Sequence, residues 1–364
     1  MIACFCAEAL HAQKRRKNKK GEEEEITQTL ELPKDPPNAV VADPQRLVFL
    51  TAPMSSKGLL SQQVRDGAKA LRSLARGGQI VKIRGFVAGT GDLRRLAAVV
   101  SEYFTDSRQP IPAVSAIQVG ALPQEGAQVW MEAIAVDKKA VNPNGLAFLS
   151  GQAVSGKEPV QRVMPLITES AGRLQTALKG INVPPDQMLR VTCFTSALGD
   201  YAEIRSHLAQ QFPKATTTVV QLLRGLSNGL VECEGMARLV SAPSKPLDLV
   251  NPAGLQASAN YSLVALVNAP KVVITGTQLA FNSSDADIRL AFDRLGKSVE
   301  EAGGSLKNTV MTGYYPLTQS TMDKIRQVRF EFLDKGKPPA STMLLFEGLP
   351  SMDASFGVEV IALP

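Results

Sequence analysis

Apolar positions along this chain recur in one order three times: a short apolar strand ending in Thr or Ser, an amphipathic helix, a second strand, a second helix, and two closing strands. The opening strands lie at 47–51, 146–150 and 272–275. Apolar stripes follow them: Val64, Ala68, Leu71 and Ala75; then Val163, Ile167, Leu174 and Leu178; then Ile288, Phe292, Leu295 and Val299. Spacings of three, four and seven residues put each set on one helix face, which a sheet must cover. Second strands are expected at 80–88, 188–195 and 308–314, and second helices around Leu96 and Phe104, Ile204 and Leu208, and Met322 and Ile325. The closing pairs read 113–123 with 129–136 and 339–350 with 357–363; the middle copy keeps 216–220 and 230–237.

Thr51, Ser150 and Thr275 open the copies at the same intervals, to within a few residues, at which Glu132, Glu234 and Glu359 close them, so the register is continuous. A fixed internal period outranks single-residue signals in setting architecture. Two helices and a handful of strands make a two-layer α+β sandwich with both helices on one face. The closing strands are apolar on both alternating sets, so the open sheet faces are expected to pack against one another around a pseudo-threefold axis. The expected division is a tail or partial signal segment at 1–43, units at 44–138, 144–240 and 261–364, and a linker at 241–260.

Composition adds little to this pattern. Of 364 residues, 44% are apolar and 20% charged, so each copy can bury a core of its own. The formal charge of +6 is spread thinly. The densest basic stretch, 61–100, includes Arg65, Lys69, Arg72, Arg76, Lys82, Arg84, Arg94 and Arg95, with the first four on one helical stripe. Without interleaved exposed aromatics the stripe reads as a solvated helix face, and no nucleic-acid partner is expected. Two histidines, His11 and His207, exclude a His-rich metal site, and the four cysteines show no metal-ligand spacing. Cys193 and Cys233 are expected to behave as small buried hydrophobes. No stretch is long enough to span a bilayer. Residues 1–12 resemble the back half of a secretory signal interrupted by Glu8. A cytoplasmic location is expected, with export as the alternative if that segment belongs to a longer signal.

The Leu-Pro turns at Leu122-Pro123 and Leu349-Pro350, the strand that each precedes, and Ser150-Gly151-Gln152 at the end of the second opening strand resemble the RidA/YjgF family of reactive-intermediate deaminases, also known as endoribonuclease L-PSP. The resemblance covers 45–364 as three tandem units. It implies chorismate-mutase-like subunits and, because the family is typically homotrimeric, a monomeric single-chain pseudotrimer with small-molecule clefts between units. It also implies hydrolysis of imines or enamines without a metal or cofactor. Such chemistry needs a guanidinium to grip the substrate carboxylate and a carboxylate to orient water. The family's Arg position aligns with Val114, Ala215 and Ser341, none of them cationic. Its first Glu aligns with Trp130, Glu232 and Gly357, so Glu232 is the expected catalytic residue. Ser150, Gly151, Tyr261 and Lys214 are carried over as substrate-binding positions, with Arg205 and Arg326 as substitute cations. Glu132, Glu234 and Glu359 are expected to accept hydrogen bonds at the seam. At most one cleft is then a deaminase; the alternative is a binding or interaction protein without chemistry. RNA cleavage lacks a mechanism here, there being no histidine pair or metal carboxylate cluster.

Overall fold

A computed structural model describes residues 34–89, 93–156, 162–226 and 228–364. In chain order the first section contains β1 (Ala39–Ala42), β2 (Leu47–Thr51), α1 (Leu60–Leu74), β3 (Gln79–Ala88), α2 (Arg94–Asp106), β4 (Ala113–Val119) and β5 (Val129–Val136). The second contains β6 (Leu146–Ser155), α3 (Met164–Gly180), β7 (Met188–Thr195), α4 (Tyr201–Gln211), β8 (Thr216–Gln221) and β9 (Leu230–Arg238). The third follows as β10 (Leu247–Val250), β11 (Val264–Val267), β12 (Val272–Thr275), β13 (Gln278–Phe281), α5 (Asp285–Glu301), β14 (Thr309–Pro316), α6 (Gln319–Phe332), β15 (Ala340–Met343) and β16 (Ala354–Ala362). The result is a mixed α+β chain.

Three sheets share one four-strand path: β2-β5-β3-β4, β6-β9-β7-β8 and β12-β16-β14-β15. The pairs β3–β4, β7–β8 and β14–β15 run parallel, and the closing strand β5, β9 or β16 lies antiparallel between its two neighbours. The helix stripes read from the sequence are buried against these sheets. Val64, Ala68 and Leu71, then Ile167, Leu174 and Leu178, then Ile288, Phe292 and Leu295, are all inaccessible to solvent. Each of these Val, Leu, Ile and Phe side chains stabilises the fold by roughly 1.5–3 kcal/mol relative to exposure. Helix α5 is further fixed at its start by a reciprocal Ser284–Asp287 capping box.

The other sheet faces meet one another. One apolar cluster joins Phe49 and Ile134 of the first sheet, Phe148 and Met236 of the second, and Ile274 and Ile361 of the third. A second joins Phe86 and Trp130, Phe194 and Leu222, and Tyr315 and Phe346. Strand β2 packs on β7 and β8, β6 packs on β14 and β15, and β12 packs on β3 and β4, so the contacts close head to tail.

Two boundaries differ from the sequence reading. The expectation of a tail or signal over 1–43 falls outside the described residues up to 33, but 39–42 form β1, antiparallel to β12. The supposed linker 241–260 contains β10, and β11, assigned to the third unit, pairs with β6 in the second sheet. In both cases the segment leading into one section covers an open edge strand of another, which protects an edge that would otherwise invite pairing.

Candidate functional site

Two carboxylates on β9, Glu232 and Glu234, point to the same side of the sheet because side chains alternate along a strand. Their surroundings differ completely.

Glu234 belongs to a charged layer lying between the two shared apolar clusters. The strand registers pair Arg84 with Glu132, Thr192 with Glu234, and Gly313 with Glu359, so the three glutamates are equivalent and converge. Arg84 donates to Glu132 Oε2 and Glu234 Oε1, both at 2.7 Å. Thr192 donates to Glu132 Oε1 at 2.6 Å. Lys82 donates to Glu359 Oε2 at 2.6 Å and to the Thr275 carbonyl, while Tyr315 Oη donates to Glu359 Oε1 at 2.6 Å and Ser115 Oγ to its Oε2. Arg190 stacks over Phe49 and lies 3.7 Å from Glu132 and 4.0 Å from Glu234. Lys82, Arg84, Arg190 and the three glutamates line a cavity of about 40 Å³.

Burial alone would raise the Glu132 and Glu359 carboxyls, but the cations outweigh it and hold both at about 2: Arg84 and Arg190 act on Glu132, Lys82 and Arg84 on Glu359. Burial opposes the charge on Arg84 too, yet Glu132 and Glu234 hold it well above the ordinary arginine range. Burial lowers Lys82 and Arg190, and their carboxylates offset this only in part. The expectation that the three glutamates accept hydrogen bonds matches their placement; the cations they use were missed. Lys82 and Arg84 read as members of a basic surface stretch, whereas both are about 95% buried. The available signal was their position inside a strand otherwise made of Ile, Val and Phe.

Glu232 is buried without such help. Among the described residues it has neither a hydrogen bond nor an ion pair, and burial first, then the Glu234 charge, push it up to about 8. Its Oε1 rests directly against Gly151, so closely that a Cβ there would come within 1.8 Å. Gly151, Tyr261, Arg173 and Glu169 line an open cavity of about 800 Å³ beneath the chain at 254–258. The Tyr261 hydroxyl is raised by burial and next by the Glu232 charge. The structure therefore brings together Glu232, Gly151 and Tyr261.

The equivalent positions cannot do the same. Phe86 pairs with Trp130, Phe194 with Glu232, and Tyr315 with Gly357. The Trp130 ring fills its site and donates Nε1 to the Ala52 carbonyl at 2.9 Å. A Cβ at Gly357 would meet Thr277 at 2.7 Å and Leu349 at 3.3 Å, leaving no room for a carboxylate.

The remaining sequence candidates lie elsewhere. Ser150 is wholly buried, donating to the Ser262 carbonyl and accepting from the Ser341 amide, so it ties the second sheet to the third. Lys214 is exposed and paired with Asp186 at 2.8 Å; Arg326 is exposed and paired with Asp323 at 2.9 Å; Arg205 is exposed on α4. They were chosen as cations near the cleft in sequence, but helix and loop geometry turns them outward. The strand register also corrects one alignment: Val114 and Ser341 have Thr217, not Ala215, as their equivalent. That position still carries no cation in any sheet. Cys193 and Cys233, expected as free thiols, are directly opposed on β7 and β9 with Cα atoms 4.1 Å apart and form a disulfide. Arg65, Lys69, Arg72 and Arg76 are exposed along α1 and the turn after it. Among the described residues no His/Cys/Asp/Glu group could hold a metal ion, and no helix is long and apolar enough to cross a membrane.

Comparison with known proteins finds no curated protein that matches. Solved structures similar to parts of the chain include the Rid-family protein YyfB from Yersinia pestis, 16% identical, covering 33% of this chain and 100% of its own, with a TM-score of 0.29. Yeast Mmf1 is 20% identical, covering 33% and 97%, at 0.24. RidA from the Antarctic bacterium Psychrobacter sp. PAMC 21119 is 19% identical, covering 33% and 99%, at 0.25. Over residues 61–137, from α1 to the end of β5, the chain matches the family described as Endoribonuclease L-PSP.

Proposed function

We propose that the chain is three tandem Rid-type units closed into a pseudotrimer, with one small-molecule cleft, at Glu232, that hydrolyses an imine or enamine. The repeated strand order and the head-to-tail contacts support the ring. The observation that carries the function is that Glu232 is the single carboxylate among three equivalent positions, buried and unpaired against Gly151, which lines an open cavity. A homotrimer cannot vary its clefts one at a time; a fused chain can.

The chemistry follows from the protonation state. Neutral Glu232 donates its proton to the imine nitrogen, and the resulting carboxylate accepts one from the water that attacks the imine carbon. Glu232, reprotonated by that water, protonates the carbinolamine nitrogen; the C–N bond breaks to release ammonia or an amine, and the hydroxyl proton returns to Glu232 as the carbonyl forms. Metal and nucleotide play no part in that sequence. The buried disulfide supports an oxidising compartment, the exported alternative to a cytoplasmic location.

The lack of a cation at Val114, Thr217 and Ser341 favours a second reading, binding without turnover. Carbonyl release from imines generated in situ by an amino-acid oxidase separates the two. Turnover above background that is lost in Glu232→Gln supports hydrolysis; turnover equal in both proteins removes Glu232 from the mechanism. Imino acids themselves should react slowly, since their carboxylate would enter the cleft unpaired.

A further inference from the structure

Resting on the reading that the Glu232 cleft is the ligand site, we propose that its occupant is a small cation with at least one N–H, an ammonium, amidinium or iminium group, and not a carboxylic acid. The ground is which groups surround the carboxyl. On its own strand stands Glu234, already committed to Arg84. Opposite it stand Phe194 on β7 and Ala153 on β6, while its Oε1 lies against Gly151, which offers no side chain. From the segment before β11 comes Tyr261, and from α3 come Glu169 and Arg173 along the cavity wall.

Among the described residues that line the cavity Arg173 is the one cation, and it is already engaged within the protein. Its Nη1 donates to the Ala153 carbonyl at 2.6 Å and its Nη2 to Glu169 at 2.7 Å. An incoming carboxylate would therefore face Glu232, with Glu234 close behind, and could draw only on the N–H groups that Arg173 leaves unused, in competition with Glu169. An incoming cation meets the opposite situation. It supplies the positive partner that the buried carboxyl lacks, Glu232 releases its proton, and a charge-assisted hydrogen bond forms at the buried carboxylate. The half-buried Tyr261 adds a polarizable wall of the kind that suits a cation. Charge choice at this cleft is thus the reverse of that made by an arginine-gripped acid site. It also fits the proposed chemistry, because the iminium formed when Glu232 protonates an imine is itself such a cation.

The test uses the full chain and the isosteric probes propylammonium and propionate, with binding followed by calorimetry in buffers of different ionisation enthalpy. Propylammonium should bind at least about tenfold more tightly than propionate and release about one proton at pH 7. Glu232→Gln should abolish both the preference and the proton release. Gly151→Ala, whose Cβ displaces the carboxyl, should weaken the cation at least about tenfold and serves as the check if the first variant folds poorly. Tighter binding of propionate, or cation binding without proton release, would overturn the proposal. Cation selectivity together with no imine turnover keeps the charge rule and discards hydrolysis; Glu232-dependent turnover of acid substrates alone does the opposite.

Discussion

Glu234 and Glu232 sit two residues apart on one strand, both buried, and differ only in what faces them. Glu234 shares Arg84 with Glu132 in a layer where three cations meet three carboxylates. Glu232 meets Gly151 and a half-buried tyrosine and stays protonated near neutrality. Between them Cys233 faces the helix side, bonded to Cys193. A buried carboxylate with its own guanidinium holds the fold together, whereas one without a cation is an unfilled half of an interaction. The first kind is structural and the second is available to a ligand.

The sharpest way to break the contrast is to strip Glu234 of its partner. Arg84→Met leaves Glu132 and Glu234 buried without their hydrogen-bonded cation and should cost about 3–5 kcal/mol in urea unfolding. It should also flatten the acid limb. Glu132 and Glu359 are held at about 2, below the unfolded carboxyl range, so their stabilisation is present above about pH 4.5 and is lost as pH falls toward 2. A variant as stable as wild type would show that the axial pairs contribute nothing net.

Glu232 should behave with the opposite sign. Its folded-state value, about 8, lies above the unfolded one, so the wild-type chain loses stability as pH rises from about 4.5 to 8 and then levels off. Glu232→Gln removes that loss and should stabilise the protein at pH 9 by on the order of 3 kcal/mol, with little change at pH 4. Destabilisation at pH 9 would mean that Glu232 has an ionic partner after all. Replacing both Cys193 and Cys233 by Ala should cost about 2–3 kcal/mol while leaving the pH profile of Glu232 in place, since the bridge constrains the two strands and not the carboxyl. Equal melting temperatures with and without reductant would remove the disulfide from the account. The smallest effect is expected for Gly151→Ala: about 1–3 kcal/mol from overpacking, accompanied by a fall in the Glu232 titration midpoint toward the ordinary carboxyl range as the group is pushed toward water. Titration followed by NMR of the carboxyl carbon checks it.

Much of this contrast was legible in the residues. The alternation of 230–237 put Glu232 and Glu234 on one face, and the spacing of the three copies aligned Glu232 with Trp130 and Gly357, as the strand registers have it. The partners were not legible. Lys82 and Arg84 look like surface residues by composition, and nothing local says that Arg84 will lie between Glu132 and Glu234. Arg205, Lys214 and Arg326 looked well placed near the cleft yet turn outward, because sequence proximity to a strand end does not fix the direction of a helix side chain.

The sequence by itself determined the repeated strand-helix order and the buried helix faces, because these depend on local periodicity, while the candidate carboxyl came from the family resemblance. Tertiary structure decided which charges meet, which cysteines join, and which edge strands are covered by β1, β10 and β11. Those outcomes depend on segments far apart in the chain reaching within a few ångströms of one another, where the loss of water makes the presence or absence of one guanidinium decisive.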